Sequence, residues 1–413
     1  MLPRLISLLD FLSRFSPGLR EFLQAREGLL ERWRRADLGE NRIWFHVSSV
    51  GELEQARPVI EGLRGNYSVV LSYFSPSVPR LVKDWSFVRY ADFLPLDRPD
   101  DMEELMALVR PRLLVLNRYD IWPNHVLAAK KAGVPVLLIN ASTPPLGWFG
   151  WLSLHARHVL FSSVTAWTFV DAIAANAWEP FVHARARGLV AGDPRVDRAL
   201  ARVDKALTES RAGERLKLWS RQKFCLVAGS TWPKDETILL EAWRRLKFPR
   251  SLVIVPHEPT PEHLSHLEKA LDAQGLTHQR FSQITQGSKA EVMLVDQRGF
   301  LAEIYGLGRL AYVGGGFGRQ IHSIVEPAAH GLPVAFGPHY GRSPEAVTLS
   351  TVGAALALPE GGGARILADW MLEVHAEGRA RQRAVDSLHV FLQVHRGAGE
   401  RVARFVEDCL PKG

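Results

Sequence analysis

Glu52 lies just after the apolar run IWFHV, behind Ser48, Ser49 and Gly51, in the segment HVSSVGELEQARPVI. The glycine permits a tight turn, and a carboxylate in the first helical turn beyond a strand is placed to act as a general base. It is equally placed to complement the helix dipole, and composition does not separate the two roles. Further along, NRYDIWPNH brings Arg118, Asp120, Trp122 and Asn124 after the run RLLVL, a polar and aromatic set that suits an acceptor or the mouth of a helix. INAS, containing Asn140, and GDPRVD also fall at the ends of runs. Each alone reads as a loop; together they line one edge.

A second set of candidates points to a nucleotide. In AYVGGGFGRQIHSIVEPAAHGLPVAFGPHY, residues 311–340, a run ending at Val313 is followed by Gly314, Gly315, Gly316 and Gly318. Glycines after a strand let backbone N–H groups approach a phosphate, and a following helix adds a favourable dipole. A lone glycine cluster is often just a turn. The order strand, glycines, short helix near 324–330 and then Glu326-Pro327 is more specific, since a carboxylate there suits ribose hydroxyls. Glu326 can alternatively cap the helix or pair with Arg319. In VAGSTWPKDE, Ser230 and Thr231 precede a helix starting near Pro233, where hydroxyls either cap the helix or bind phosphate, and Lys234 favours an anion. VPHEP sets His257 and Glu258 at the end of the next run, either facing a ligand or terminating the strand.

These residues need elements to hold them. Six apolar runs, IWFHVSSV, YSVVLSYF, FVRYADFLP, RLLVLN, PVLLIN and TAWTFV, alternate with helical stretches from Ile43 to about Gly192. After a polar helical connector near 199–221 a second series begins: KFCLVAGS, RSLVIVPHE, AEVMLVD, RLAYVGGG, LPVAFG and AALALP. Short apolar runs separated by amphipathic segments indicate parallel sheets covered by helices on both faces. Two such α/β units predict a two-lobed molecule with ligands at the carboxyl ends of the strands. The stretch from about Ala364 to Leu410 reads as helical and charged.

The chain has 413 residues, with 51 Lys+Arg against 44 Asp+Glu and two cysteines, Cys225 and Cys409. A disulfide framework or structural zinc is not expected from two distant cysteines. His155, His158 and His183 lack the i, i+4 spacing of zinc sites and read as structural. The net charge of +7 favours an anionic partner, whether nucleic acid, a phosphorylated small molecule or an acidic membrane. No helix-turn-helix, zinc-finger or RNP pattern supports nucleic acid. At the N-terminus, Leu5, Leu8, Leu9 and Leu12 recur at helical spacing, while Asp10 and Arg14 interrupt any spanning segment or signal peptide. An amphipathic helix with Arg4, Arg14 and Arg20 either lies in a membrane interface or packs on the domain, and Arg32, Arg34 and Arg35 add to the basic character of the first helices.

The order SVGE, DIWPN, INAS, GDPRVDR, GSTWPKDE, VPHE and VGGGF…IH…EPAAHGLPVAFGP, covering about Ile43 to Leu358, resembles the 3-deoxy-D-manno-octulosonate (Kdo) transferases. The resemblance implies a GT-B fold of two Rossmann-like domains facing a central cleft. It implies the donor CMP-Kdo, a lipid A precursor (lipid IVA) as acceptor, and a place at the cytoplasmic face of the inner membrane, peripheral or monotopic. Residues 1–40 would form membrane-associating amphipathic helices, 41–203 the acceptor domain, 212–395 the CMP-Kdo domain and 396–413 a helix returning to the N-terminal domain. Carried over by residue, Glu52 becomes the catalytic base, with Ser49, Gly51, Arg118, Asp120, Trp122 and Asn140 at the acceptor. Ser230, Thr231, His257, Glu258, Gly314, Gly315, Gly316, His322 and Glu326 fall at the donor. No metal or other cofactor is expected, since no Asp-x-Asp motif occurs. This chain has Asp120 where many members have Glu, His257-Glu258 where many have Arg-His, and Ser323 where Asn is common. Two other readings remain open at this stage: another GT-B enzyme using a UDP-sugar, as transferase or 2-epimerase, or a catalytically silent nucleotide-binding homologue.

Overall fold

The computed structural model describes residues 17–118, 120–144, 159–209, 219, 224–376 and 378–411. Arg4, Leu5, Leu8, Leu9, Leu12 and Arg14, and His155 and His158, lie outside them. The chain divides into one unit of residues 1–195 with 397–413 and a second of residues 196–396.

The first unit is built on a seven-stranded sheet in the order β3-β2-β1-β4-β5-β6-β7. The strands are β1 (Arg42–Val47), β2 (Ser68–Tyr73), β3 (Tyr90–Phe93), β4 (Leu113–Asn117), β5 (Val136–Ala141), β6 (Ala166–Phe169) and β7 (Arg187–Val190). Every pairing is parallel. The interior strands are buried along nearly their whole length, which is why they read as continuous apolar runs without alternation. Edge strand β7, RGLV, is largely exposed and carries no such signal.

Around this sheet run α1 (Pro17–Gln24), α2 (Leu29–Arg35), α3 (Val50–Gly62), α4 (Pro79–Val82), α5 (Pro99–Val109), α6 (Pro123–Lys131) and α7 (Ala172–Trp178). Arg26, just beyond α1, sets its guanidinium 3.8 Å from the Phe22 ring centroid and donates to the carbonyls of Phe74 and Leu94 at 3.0 Å each. Arg32 pairs with Asp92 at 2.7 Å, and Arg34 pairs with Glu31 and Glu104. The basic character of these helices is therefore partly consumed within the unit, and Arg32 and Arg34 are not the free cations the composition suggested.

The second sheet has the order β10-β11-β9-β8-β12-β13-β14 and is also parallel throughout. Its strands are β8 (Cys225–Thr231), β9 (Ser251–Pro256), β10 (His278–Arg280), β11 (Val292–Leu294), β12 (Leu310–Val313), β13 (Val334–Phe336) and β14 (Ala355–Ala357). The edge strand β10, HQR, is the second one that carries no apolar run. Helices α8 (Pro194–Glu209), α9 (Pro233–Arg245), α10 (Pro261–Asp272), α11 (Leu301–Ile304), α12 (Val325–Ala329), α13 (Pro344–Thr351), α14 (Gly363–His375) and α15 (Arg379–His395) complete it.

The last helix, α16 (Ala398–Asp408), packs on α3 of the first unit. The approach is close: a Cβ on Gly399 would lie 2.6 Å from that of Pro58, and one on Gly62 would lie 3.0 Å from that of Ala403. Glu407 then accepts the N–H groups of Arg64 and Gly65 at 2.8 and 2.9 Å. Among the described residues no helix is long and apolar enough to cross a membrane.

Candidate functional site

Ser49 caps α3, accepting the Glu52 N–H at 3.4 Å, and this sets Glu52 in the first turn. The glutamate is 6 % exposed, and its Oε2 accepts the Ser48 N–H at 2.7 Å and the Ser48 hydroxyl at 2.9 Å. Burial, followed by the nearby Asp120 charge, pushes the Glu52 carboxyl up to about 8 against the opposing pull of the Ser48 bonds and Arg118. Burial and the Asp120 charge thus make the Glu52 carboxyl more basic than an exposed one, while its two Ser48 bonds tie it to the start of α3.

Gly51 makes no tight turn. It is an exposed residue of the first turn of α3, and among the described residues the one neighbour a Cβ would meet is the Ser49 hydroxyl at 3.9 Å, beside the Glu52 helix start.

Asp120 is held from two sides, its Oδ2 lying 3.0 Å from His46 Nε2 and accepting the Trp122 indole N–H at 3.1 Å. Trp122 stacks on Phe74, with centroids 5.2 Å apart and planes at 24°. Arg118 has a left-handed backbone, φ 63°, and donates to the Ser142 hydroxyl at 3.0 Å. The structure therefore gathers Ser49, Glu52, Arg118, Asp120 and Trp122 at the carboxyl ends of β1 and β4.

Asn140 requires a correction as a residue touching an acceptor. It is fully buried, left-handed at φ 57° where β5 slips register, and its amide donates to Asn117 Oδ1 at 2.9 Å. Asn117 in turn donates to the Glu52 carbonyl at 2.7 Å. Asn140 therefore braces the start of α3 from within. His46, Ser72 and Asn117 were not singled out by sequence reasoning, because polar residues inside apolar runs look like ordinary strand positions.

In the second unit β8 ends at Thr231, and α9 begins after the cap position Trp232. The expectation that Thr231 offers its hydroxyl to a ligand does not hold. The residue is fully buried and donates to Glu236 Oε1 at 2.8 Å. Ser230 is left-handed, at φ 53°.

The glycine loop likewise has an internal reason. A Cβ on Gly314 would fall 2.2 Å from the Ser230 carbonyl, and one on Gly316 would fall 2.6 Å from the Gly337 nitrogen, so backbone contacts require both glycines. The N–H of Gly314 donates to the Gly229 carbonyl at 2.9 Å, and that of Gly315 to Asp235 Oδ2 at 3.0 Å. Those two amides are already engaged and do not form an open phosphate cradle. Asp235 is the organiser: it also accepts the Trp232 N–H at 3.0 Å and the Tyr312 hydroxyl at 2.7 Å, and burial raises its pKa.

Next to this loop three aromatic rings stack. His257 lies 5.0 Å from Trp232 and 4.2 Å from His322, with interplanar angles of 28° and 18°. Trp232 donates its indole N–H to His322 Nε2 at 3.2 Å, and burial, then His257, lowers His322 to about 4, so its ring stays neutral. Trp232 is 38 % exposed, so the stack presents an aromatic face suited to a planar base. A groove of about 680 Å³ opens beside it between α9 and α10, lined in part by Trp232, Glu236, Glu258 and His263. There His263 Nε2 meets Glu236 Oε2 at 2.9 Å; burial opposes the imidazolium, but the Glu236 bond and charge prevail and raise its pKa. Glu326, in the first turn of α12, pairs with Arg202 at 3.6 Å rather than with Arg319.

A sequence model described as 3-deoxy-D-manno-octulosonic-acid transferase (kdotransferase) matches residues 23–198. The 3-deoxy-D-manno-octulosonic acid transferase of Bordetella pertussis is 27 % identical over 390 residues, covering 89 % of this chain and 87 % of that protein. The one from Haemophilus influenzae is 25 % identical over 408 residues, covering 94 % and 87 %. Among solved structures, UDP-GlcNAc 2-epimerase from Neisseria meningitidis bound to UDP-GlcNAc superposes with a TM-score of 0.64 at 12 % identity, over 89 % of this chain and 99 % of the other. MurG of Acinetobacter baumannii gives a TM-score of 0.57, also at 12 % identity over 89 % and 99 %. These last two establish the GT-B fold, one Rossmann-like sheet in each unit.

Proposed function

This chain belongs to the 3-deoxy-D-manno-octulosonic-acid transferase family, and from that premise we propose that it transfers Kdo from CMP-Kdo to a hydroxyl of a lipid A precursor, with Glu52 as the base. It is a glycosyltransferase. The observation that carries the mechanism is the Glu52 carboxyl, fixed at the start of α3 and raised by burial and by Asp120. In the transfer step the acceptor oxygen attacks the anomeric carbon of Kdo while the bond to the CMP phosphate breaks with its electron pair. Glu52 takes the proton released by the acceptor hydroxyl, and attack opposite the leaving group inverts the anomeric configuration.

In this reading the acceptor lies beside Gly51 and Ser49 at the helix start, with Arg118 and Asp120 close by. The donor uses the second unit. The Trp232–His257–His322 platform suits a cytosine ring, Glu326 suits the ribose, and the N-terminus of α9 with Lys234 favours the phosphate through its dipole and charge. Such electrostatic stabilisation works without a metal, so transfer is expected to persist in EDTA. The net charge of +7 and a bis-anionic lipid acceptor favour action at the acidic inner face of a membrane, in peripheral association.

The test is to incubate the protein with a lipid A precursor, CTP, Kdo and a CMP-Kdo-forming enzyme, and to read the lipid mass. A gain of one or more Kdo masses supports the reading. An unmodified lipid alongside demonstrated CMP binding refutes it in favour of a silent homologue or a different acceptor.

A further inference from the structure

Trp44 Nε1 lies 2.9 Å from the Ser72 Oγ, Ser72 Oγ lies 2.8 Å from His46 Nδ1, and His46 Nε2 lies 3.0 Å from Asp120 Oδ2. The first three residues are fully buried on neighbouring strands β1 and β2. An indole nitrogen can only donate. Trp44 therefore donates to the Ser72 hydroxyl, and at the other end the Asp120 carboxylate oxygen accepts, so His46 Nε2 is the donor to Asp120. Ser72 holds the opposite ring nitrogen, Nδ1, at 2.8 Å and fixes the orientation of the imidazole. A second donor-only indole, that of Trp122, reaches the same carboxylate oxygen at 3.1 Å.

We propose that His46 is a positioning residue of the transfer reaction, whose Nε2–H locks the Asp120 carboxylate in the orientation from which it acts on Glu52. This rests on the reading of Glu52 as the base. Other groups facing His46 do not replace it. His125, from α6, is edge-on with ring centroids 5.7 Å apart, wholly buried and held neutral by burial and then by His46 itself. Asp97 is not available to His46 in its place, because its carboxylate already accepts the N–H groups of Asn124 and His125 at 3.0 Å each. Asp120 is therefore the acceptor that His46 orients, and without the imidazole the carboxylate keeps, among the described residues, the hydrogen bond from the Trp122 indole.

The geometry predicts a specific functional signature. Replacing His46 with Leu removes the donor and frees Asp120 to rotate, so the like charge no longer bears on Glu52 in a fixed place. The rising limb of the rate against pH then moves to lower pH, and kcat falls on the order of 100-fold, the scale of a misplacement near a reacting group. The KM for CMP-Kdo is unchanged. His46→Gln, which keeps an N–H donor of similar reach, restores the limb and most of the rate. If His46→Leu does not fold, Ser72→Ala serves, since it removes the hydroxyl that fixes the orientation of the imidazole and should shift the limb in the same direction.

The experiment is the pH profile of Kdo transfer for wild type, His46→Leu, His46→Gln, Ser72→Ala and Glu52→Gln, with circular dichroism to verify folding. Limbs that coincide with wild type in His46→Leu and Ser72→Ala, while Glu52→Gln is inactive, overturn the proposal and leave the base intact. Transfer by Glu52→Gln at the wild-type rate overturns the underlying reading instead. A rate loss with no shift, equal for Leu and Gln, assigns His46 a packing role and likewise overturns the proposal.

Discussion

Glu52→Gln is expected to abolish transfer while making the folded protein more stable at alkaline pH. The amide is isosteric and its carbonyl can still accept the Ser48 N–H, so the start of α3 keeps its main bond. Losing a general base costs 10²- to 10⁴-fold in rate, on the order of the usual contribution of such groups. For stability the sign is set by the raised pKa: the native state holds the proton more tightly than the unfolded chain, so native stability is fully present below 4.5 and falls as pH rises towards 8. Moving a carboxyl from 4.5 to about 8 corresponds to about 5 kcal/mol once both states are ionised, at 1.36 kcal/mol per pKa unit. Roughly 4 kcal/mol of that falls between pH 5 and pH 9. Glutamine does not titrate. The stability difference between the variant and wild type should therefore grow in the variant's favour by that order across this interval. Urea unfolding of both proteins at pH 5 and pH 9, with Kdo transfer measured alongside, reads the two effects. A stability difference that does not change with pH refutes the burial argument, and transfer within tenfold of wild type removes Glu52 as the base.

Asp120→Asn removes the like charge that helps raise Glu52, so the rising limb of the rate should move to lower pH, as pH-rate profiles would show. Gly316→Ala sets a Cβ 2.6 Å from the Gly337 nitrogen and should destabilise the second unit by about 1–3 kcal/mol or more, measured by thermal unfolding. Gly51→Ala sets a Cβ in ordinary contact with the Ser49 hydroxyl in a helical turn and should leave stability equal or slightly higher, by up to about 1 kcal/mol, while lowering transfer if the acceptor passes there. Glu236 raises the His263 pKa, so the stability the pair contributes is fully present below pH 6.5 and lost as pH rises through the elevated native value. The stability cost of His263→Leu should therefore be greatest in acid and shrink on the alkaline side, which urea unfolding at pH 5.5 and pH 9 can test.

Interior strands were legible because burial on both faces demands uninterrupted apolar residues, as in LLVLN and SLVIVP. Edge strands β7 and β10 were not, since RGLV and HQR are partly solvated and lack that demand. Glu52 was recognisable from the residues around it, SVGE, because a capped helix start is a local event. The contact of His46 with Asp120 nearby is not local: 74 residues separate the two, and the adjacency of β1 and β4 joins them. Thr231, Asn140 and the glycine loop looked like ligand residues because they are polar or small at strand ends. What the sequence could not display was burial, which turns their bonding groups inward to Glu236, Asn117 and Asp235.

The return of α16 to the first unit bears on how the chain is made. Strands β1 to β7 emerge from the ribosome long before the helix that covers α3, because the whole second unit, about 200 residues, is synthesised in between. At roughly 5–20 residues per second that is a wait of about 10–40 s with the Pro58 face of α3 uncovered. During that interval the nascent first unit exposes the surface that Gly399, Val402 and Val406 later bury. A premature stop late in the message would thus strand the earliest-made half of the protein, not the latest.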